Sequence, residues 1–145
     1  MTITLTLSDA VIKEHTTAVI GHSPEPLYAM LEPFRNRAQE HIILITMDAR
    51  SRVIGVHTIT IGTVNACLIH PREIFRQAIA DNAVSIIIAH NHPSGDATPS
   101  GADKEVTSKL YKAGEIIGIA LLDHLIIGSK KNCSLRESHA HLFRS

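Results

Sequence analysis

The sequence predicts an α/β domain in which helices cover a mixed β-sheet in layers. Short apolar runs typical of buried strands, above all Val84–Ala89 (VSIIIA), alternate along the chain with segments of helical spacing. The chain has 145 residues, of which 44% are hydrophobic, so it can bury one substantial core. A single domain is therefore the simplest organisation.

Residues 1–39 are predicted to form a helical arm of this domain. Residues 1–7 alternate Thr with Ile or Leu, which indicates either a short strand or a loose arm, and Ser8-Asp9 is a helix start signal. Pro24–Leu31 predicts a short helix that is interrupted at Pro33.

Residues 40–135 are predicted to form the core of the domain. Ile42–Met47 and Val53–Ile61 predict two strands joined by a turn as a hairpin, and Val64–Ile69 a third strand. Pro71 then starts a helix, and one apolar stripe along it is assigned to the core: Ile74, Phe75, Ala78 and Ile79.

The chain after Val84–Ala89 predicts one more helix and two more strands. Apolar residues keep helical spacing from Val106 to Ile117, and Gly118 ends this helix. Ile119–Ile127 is predicted as a strand, followed by a hairpin turn and a short strand at Cys133–Leu135. Residues 136–145 show no clear pattern and are assigned to a C-terminal tail.

The stretch that indicates chemistry is 89–103 (AHNHPSGDATPSGAD). His90 and His92 lie two residues apart at the end of an extended segment, so both imidazoles project to the same side. Residues 93–96 favour a turn, Ser100 is a good helix N-cap, and Asp103 falls in the first helical turn. Two imidazoles and one carboxylate suit zinc and leave the fourth tetrahedral position to water. The pattern predicts a catalytic zinc site at His90, His92 and Asp103.

A purely structural interpretation of these residues stays open. The two histidines could be partly exposed polar residues, and Ser100 with Asp103 could form only a variant of the capping box. The combination of the His-x-His, the turn and the Ser-x-x-Asp at this distance favours the metal site.

These residues resemble the JAMM (MPN+) metalloprotease signature. In that signature a distant glutamate precedes His-Ser/Thr-His, seven residues, Ser, two residues and Asp, and this chain has the same spacing from His90 to Asp103. Asn91 departs from the usual Ser or Thr but matches the bacterial RadC-like branch, which 90–103 resembles closely. The resemblance implies a three-layer α-β-α sandwich similar to the cytidine deaminase architecture. It also implies a zinc-dependent hydrolase of peptide or isopeptide bonds.

The resemblance covers residues 40–135 and has further consequences. Longer RadC proteins carry an N-terminal helix-hairpin-helix region, which a chain of this length is expected to lack. RadC proteins are associated by name with DNA repair. A deaminase is disfavoured, because zinc deaminases use His-x-Glu and Pro-Cys-x-x-Cys, and neither string occurs here.

A metal-activated water needs a proton acceptor, and Glu40 is the candidate. It precedes the first core strand, where the RadC-like branch also has its glutamate. An antiparallel arrangement would place that strand entrance beside the exit of Val84–Ala89. Glu73 and Glu105 are the competitors, and a solvated strand-end charge is the alternative for Glu40.

Three neighbours of the motif complete the predicted site. Ser100 Oγ is predicted to donate a hydrogen bond to the developing oxyanion. Asp123-His124 either orients a metal ligand or is a polar pair at a strand kink, two interpretations that stay open. Asn91 is expected to face away from its histidine neighbours and to hold the loop by hydrogen bonds.

Charge and composition bear on partners and compartment. Lys+Arg and Asp+Glu both number 14, so the net charge of zero gives no basic footprint for nucleic acid, and a protein or peptide substrate is expected. Two cysteines without CxxC spacing, and no signal peptide or long apolar segment, indicate a cytoplasmic protein without a membrane anchor. Oligomeric state is not predicted. The alternatives are a metal-dependent nuclease, a DNA-repair accessory protein and a non-catalytic MPN-type interaction module.

Overall fold

The computed structural model describes residues 24–62 and 69–144. The predictions for residues 1–9 and most of the strand predicted at 64–69 therefore lie outside the described residues. In chain order the elements are α1 (Glu25–Leu31), a 3₁₀ turn (Glu32–Phe34), β1 (Glu40–Met47), β2 (Val53–Gly62), α2 (Pro71–Ala80), β3 (Ser85–Asn91), α3 (Gly101–Ile117), β4 (Ala120–Ile127), β5 (Asn132–Ser134), α4 (Leu135–Ser138) and a second 3₁₀ turn (Ala140–Phe143).

The described strands form one mixed sheet in the order β2-β1-β3-β4-β5. The predicted hairpin of β1 and β2 is confirmed, and β1 also pairs antiparallel with β3, whereas β3 and β4 are parallel. The central strand β3 is buried along its whole length, as its unbroken apolar run predicts.

Two apolar layers lie on the two faces of this sheet. On one face, residues of α2 and α3 such as Phe75 and Leu110 pack against Ile42 and Ile88 of β1 and β3. On the other face, residues of α1 pack against the alternate positions of the same strands, including Ile43. Because neighbouring residues of a strand point to opposite faces, both layers are built from the same short apolar runs. The predicted α/β fold, with helices on both sides of a mixed sheet, is confirmed.

The segment between β3 and α3 is held by a tight turn and a helix cap. Gly95 adopts φ 88°, and its N–H donates to the His92 carbonyl at 2.9 Å. The Gly95 carbonyl in turn accepts from Ser129 N at 2.9 Å, which ties the turn to the β4–β5 connection. At the far end, Gly118 takes the left-handed conformation (φ 87°) and ends α3 where the sequence predicts.

Two expectations outside the site are wrong. Ile79 is 60% exposed and is not part of the core, because it lies at the edge of the apolar stripe in the last turn of α2. The end of the chain contains α4 and a 3₁₀ turn, and Leu142 and Phe143 pack against buried residues. Helices of one turn leave too few residues to show a period, so the sequence gives no signal for them.

Within residues 24–62 and 69–144, no helix is long and apolar enough to cross a membrane.

Candidate metal centre

His90 and His92 converge at the carboxyl end of β3. His90 is completely buried and His92 is partly buried, and their Nε2 atoms lie 2.8 Å apart. The extended backbone of the strand end sets this convergence, because residues two apart share one side. The structure therefore brings together the two imidazoles that the sequence pairs.

The carboxylate of Asp103 lies against both imidazoles. Its Oδ1 is 3.2 Å from His90 Nε2 and its Oδ2 is 3.3 Å from His92 Nε2. The side chain is 2% exposed, and it reaches this position from the first turn of α3. All three predicted metal ligands thus meet at one point.

The hydrogen bond of His92 Nδ1 fixes which ring nitrogen of His92 carries the proton. His92 Nδ1 lies 2.7 Å from the backbone carbonyl of Asp96, and a carbonyl oxygen can only accept a hydrogen bond. Nδ1 therefore carries the proton in the neutral ring, and Nε2 presents a lone pair to the site.

The proton of His90 is fixed through a buried chain of hydrogen bonds. Thr107 Oγ1 donates to the Asp103 carbonyl at 2.7 Å, so it accepts from His124 Nδ1–H at 2.6 Å. Burial holds the pKa of His124 well below its ordinary value, so this ring is neutral and its Nε2 is an acceptor. His90 Nδ1–H donates to that atom at 2.8 Å, which leaves His90 Nε2 as a second lone pair.

Electrostatics in this cluster favour a bound positive charge. The adjacent Asp103 carboxylate raises the pKa of His92, because the protonated ring would donate a hydrogen bond to it, although burial of the ring opposes this. Burial also raises the pKa of Asp103, but its contacts with the His90 and His92 rings outweigh this and hold that pKa well below the ordinary value. Two lone pairs and an ionised carboxylate suit a divalent cation such as zinc.

Glu40 also lies close to the imidazole pair. The register that pairs Ile42 with His90 brings the start of β1 beside the end of β3, as predicted. Glu40 Oε1 is 3.7 Å from His90 Nε2, and burial raises the pKa of Glu40 although His90 and His92 lower it.

Among the described residues, Glu40, His90 and His92 satisfy the spacing of a metal site, with ligand atoms all within 4.8 Å of one another, and Asp103 is not part of that group. Two carboxylates thus lie beside the histidine pair, and Asp103 is the nearer to His90 Nε2, at 3.2 Å against 3.7 Å for Glu40. In the described part of the chain, neither Glu73 nor Glu105 belongs to such a group.

Ser100 and Asp103 form a complete capping box. Ser100 Oγ accepts from Asp103 N at 3.0 Å, and Asp103 Oδ2 accepts from Ser100 N at 2.8 Å. The box and the metal-ligand arrangement coexist, because the Asp103 carboxylate has two oxygens with several lone pairs. Ser100 is exposed, and an Oγ that accepts one bond still carries its own proton.

Asp123 and His124 have different functions in the structure. His124 lies behind His90 and sets its proton, so it is the member of the pair that contacts a candidate ligand. Asp123 instead accepts from Ser134 Oγ at 2.6 Å and from Arg136 N at 3.1 Å, and so fixes the start of α4. Thr107 was missed by sequence reasoning, although its position four residues after Asp103 places both on one helix face.

Comparisons with known proteins cover most of the chain. The profile described as "RadC-like JAB domain" matches residues 21–140. The chain is 52% identical over 108 residues to a UPF0758 protein of Geobacillus sp. (strain WCH70), covering 74% of this chain and 48% of that protein. It is 47% identical over 108 residues to UPF0758 protein YsxA of Bacillus subtilis (strain 168), covering 74% and 47%. The chain spans about half the length of these relatives.

Proposed function

The chain belongs to the RadC-like JAB domain family, and from this premise we propose that it is a zinc-dependent hydrolase of peptide or isopeptide bonds. His90, His92 and Asp103 would hold the ion, Glu40 would be the general base, and Ser100 would assist the oxyanion. Membership of this family supports a metal-dependent hydrolase or an MPN-type domain.

One observation carries this proposal. His90 Nε2 and His92 Nε2 lie 2.8 Å apart, both present lone pairs, and both contact the Asp103 carboxylate. Acceptors that face one another repel unless a cation or a proton lies between them. Three protein ligands also leave an open coordination position, which is typical of catalytic rather than structural zinc.

The proposed mechanism assigns each remaining residue one task. A bound zinc ion would supply an acidified water and a Lewis acid for the substrate carbonyl. Glu40 accepts the proton of the attacking water, and the raised pKa that burial gives it suits a base that must later return this proton to the leaving amine. Ser100 Oγ–H donates to the oxygen on which negative charge develops.

The test uses the zinc-loaded full chain and a library of peptides and isopeptide-linked peptides, with products identified by mass spectrometry. The parent protein should cleave one substrate class. Glu40→Gln should keep its zinc while the rate falls by about two to four orders of magnitude, since glutamine cannot take up the proton. Glu73→Gln and Glu105→Gln are the matched controls and should cleave at the parent rate.

Two outcomes would overturn parts of the proposal. Loss of activity in Glu73→Gln or Glu105→Gln, with Glu40→Gln still active, would reassign the base. Cleavage of duplex DNA, or tight DNA binding with a steep salt dependence, would favour the nuclease or repair function over a peptidase. A neutral chain is expected to bind DNA weakly at physiological salt.

A further inference from the structure

Asn91 lies between the two histidines of the metal centre but makes its contacts elsewhere. Its side chain is fully buried. Asn91 Oδ1 accepts from His41 N at 2.7 Å, and Asn91 Nδ2 donates to the Gln39 carbonyl at 2.9 Å and to the Arg37 carbonyl at 3.5 Å. The amide thus joins β3 to the start of β1, and not to the loop after β3 that it was expected to hold.

The two shortest of these bonds bracket Glu40. One goes to the backbone of the residue before it and the other to the backbone of the residue after it. The backbone pairing of β1 with β3 begins only at Ile42 and His90, so Glu40 lies beyond the end of that ladder. The Asn91 side chain continues the connection to β3 at the point where the ladder ends.

An amide is well suited to this task. Its oxygen accepts and its nitrogen donates at two separate points, so one side chain can bind a backbone N–H and a backbone carbonyl at once. A hydroxyl has one oxygen and a single proton. The bond from His41 N is buried and the bond to the Gln39 carbonyl is partly buried, so both restrict the backbone on each side of Glu40 more strongly than exposed bonds would.

We propose that Asn91 is a positioning residue for Glu40, which clamps the backbone around it so that the carboxylate stays beside His90 Nε2. This inference rests on the proposed function, in which Glu40 is the base. β3 and the residue after it would thus supply both histidine ligands, while Asn91 between them supports the base. A general base must be held within hydrogen-bond reach of the proton it takes, so a shift of the strand end would slow the reaction.

A purely structural function for Asn91 makes a different prediction. Buried backbone groups need partners wherever they occur, and Asn91 would then stabilise the fold without acting through Glu40. A double-mutant cycle separates the two, because residues that act as one unit have non-additive effects on rate.

The experiment compares zinc-loaded parent, Asn91→Ala, Glu40→Gln and the double variant. Asn91→Ala should keep its zinc and lose turnover by on the order of 100-fold, the cost of misplacing a catalytic group by about 1 Å. In the Glu40→Gln background the same substitution should change the rate by less than about twofold. Thr46→Val, which removes a hydrogen bond at the other end of β1, is the matched control and should leave turnover at the parent value.

Two further measurements do not depend on activity. Hydrogen exchange of the His41 amide should accelerate at least about tenfold in Asn91→Ala, since its acceptor is removed. A crystal structure of that variant should show the Glu40 carboxylate moved away from His90 Nε2. If Asn91→Ala does not fold, Asn91→Asp keeps the shape and the oxygen acceptor while losing the donor to Gln39, and is measured in its place.

The outcomes separate this inference from the proposed function. An equal loss of rate in both backgrounds, or unchanged exchange at His41 with Glu40 in place, would overturn the positioning function. A parent protein that cleaves no peptide would overturn the proposed function, while the exchange and crystallographic comparisons would still decide whether Asn91 positions Glu40.

Discussion

A contact between histidine and aspartate lies near each end of β1. The two contacts differ in whether hydrogen-bond donors face acceptors or acceptors face acceptors. At one end Asp81 contacts His57, with 2.6 Å between Oδ2 and Nε2. At the other end Asp103 contacts two histidines at 3.2 and 3.3 Å. The residue types are the same, so they alone do not distinguish a structural cluster from a metal centre.

At the Asp81 end, donors meet an acceptor. Asp81 Oδ2 accepts from Thr46 Oγ1 and His57 Nε2, both at 2.6 Å, and Oδ1 accepts from Gln77 Nε2 at 3.0 Å. Burial raises the pKa of Asp81, but these hydrogen bonds outweigh it and hold the pKa below the ordinary value. The carboxylate thus has three donors, although the buried His57 Nδ1 has no hydrogen-bond partner among the described residues.

At the Asp103 end, hydrogen-bond acceptors on the two imidazoles face acceptors on the carboxylate. The outer nitrogen of each histidine is used as a donor, to the Asp96 carbonyl in one case and to His124 in the other. Both inner nitrogens then face a carboxylate with lone pairs only. The hydrogen bonds on the far side of each ring, rather than the ring itself, therefore identify the candidate metal centre.

Removing the carboxylate at the Asp81 end should have the largest effect on stability. Asp81→Ala leaves the three donors from Thr46, His57 and Gln77 without their acceptor, and should lower the free energy of unfolding by on the order of 2 to 3 kcal/mol. The zinc content should not change. Chemical denaturation measures the first and elemental analysis the second, with Glu105→Ala as a control for loss of an exposed carboxylate.

The same variant predicts a pH dependence. Since the pKa of Asp81 is lower in the folded protein than in the unfolded chain, its contribution is present at neutral pH and is lost as the pH falls below about 4. The difference in unfolding free energy between parent and Asp81→Ala should therefore shrink in acid. A difference that stays constant down to the acid transition would contradict the assignment.

A change behind the metal centre should weaken zinc binding rather than abolish it. His124→Leu removes the acceptor for His90 Nδ1–H, so His90 loses the bond that fixes its proton, and zinc affinity should fall by about 10- to 100-fold. Thr107→Val acts one bond further away and should have a smaller effect in the same direction. Competition with a chelator measures both, and parent-like affinity in His124→Leu would show that the chain of hydrogen bonds does not support the ligand.

Ser100 should give the smallest change in stability. Ser100→Ala removes the cap of α3 and should cost about 1 kcal/mol. If the hydroxyl also serves the oxyanion, turnover should fall by clearly more than this loss of stability explains. Unchanged turnover on a cleavable peptide, together with the expected loss of stability, would limit Ser100 to the cap.

How far the sequence predicts this site depends on the range of each interaction. That the His90 and His92 side chains converge follows from the alternation of side chains along one strand. The position of Asp103 follows from the N-cap three residues before it. Local sequence patterns therefore suffice to predict the three ligands. The functions of Asn91 and His124 depend on contacts 50 and 34 residues away along the chain, which need the strand order and register. Glu40 is intermediate, because its position follows once β1 and β3 are taken as antiparallel neighbours.

The most direct test of the central claim is the zinc content of the purified full chain and four variants after dialysis against trace zinc. The parent should hold about one zinc per molecule, because one triad makes one open tetrahedral site. His92→Ala and Asp103→Ala should lose the ion, whereas His57→Ala, at the other end of β1, and Glu40→Gln should keep it. A folded parent that neither contains nor rebinds zinc would contradict the account. Loss of zinc in Glu40→Gln but not in Asp103→Ala would show that Glu40, and not Asp103, is the third metal ligand.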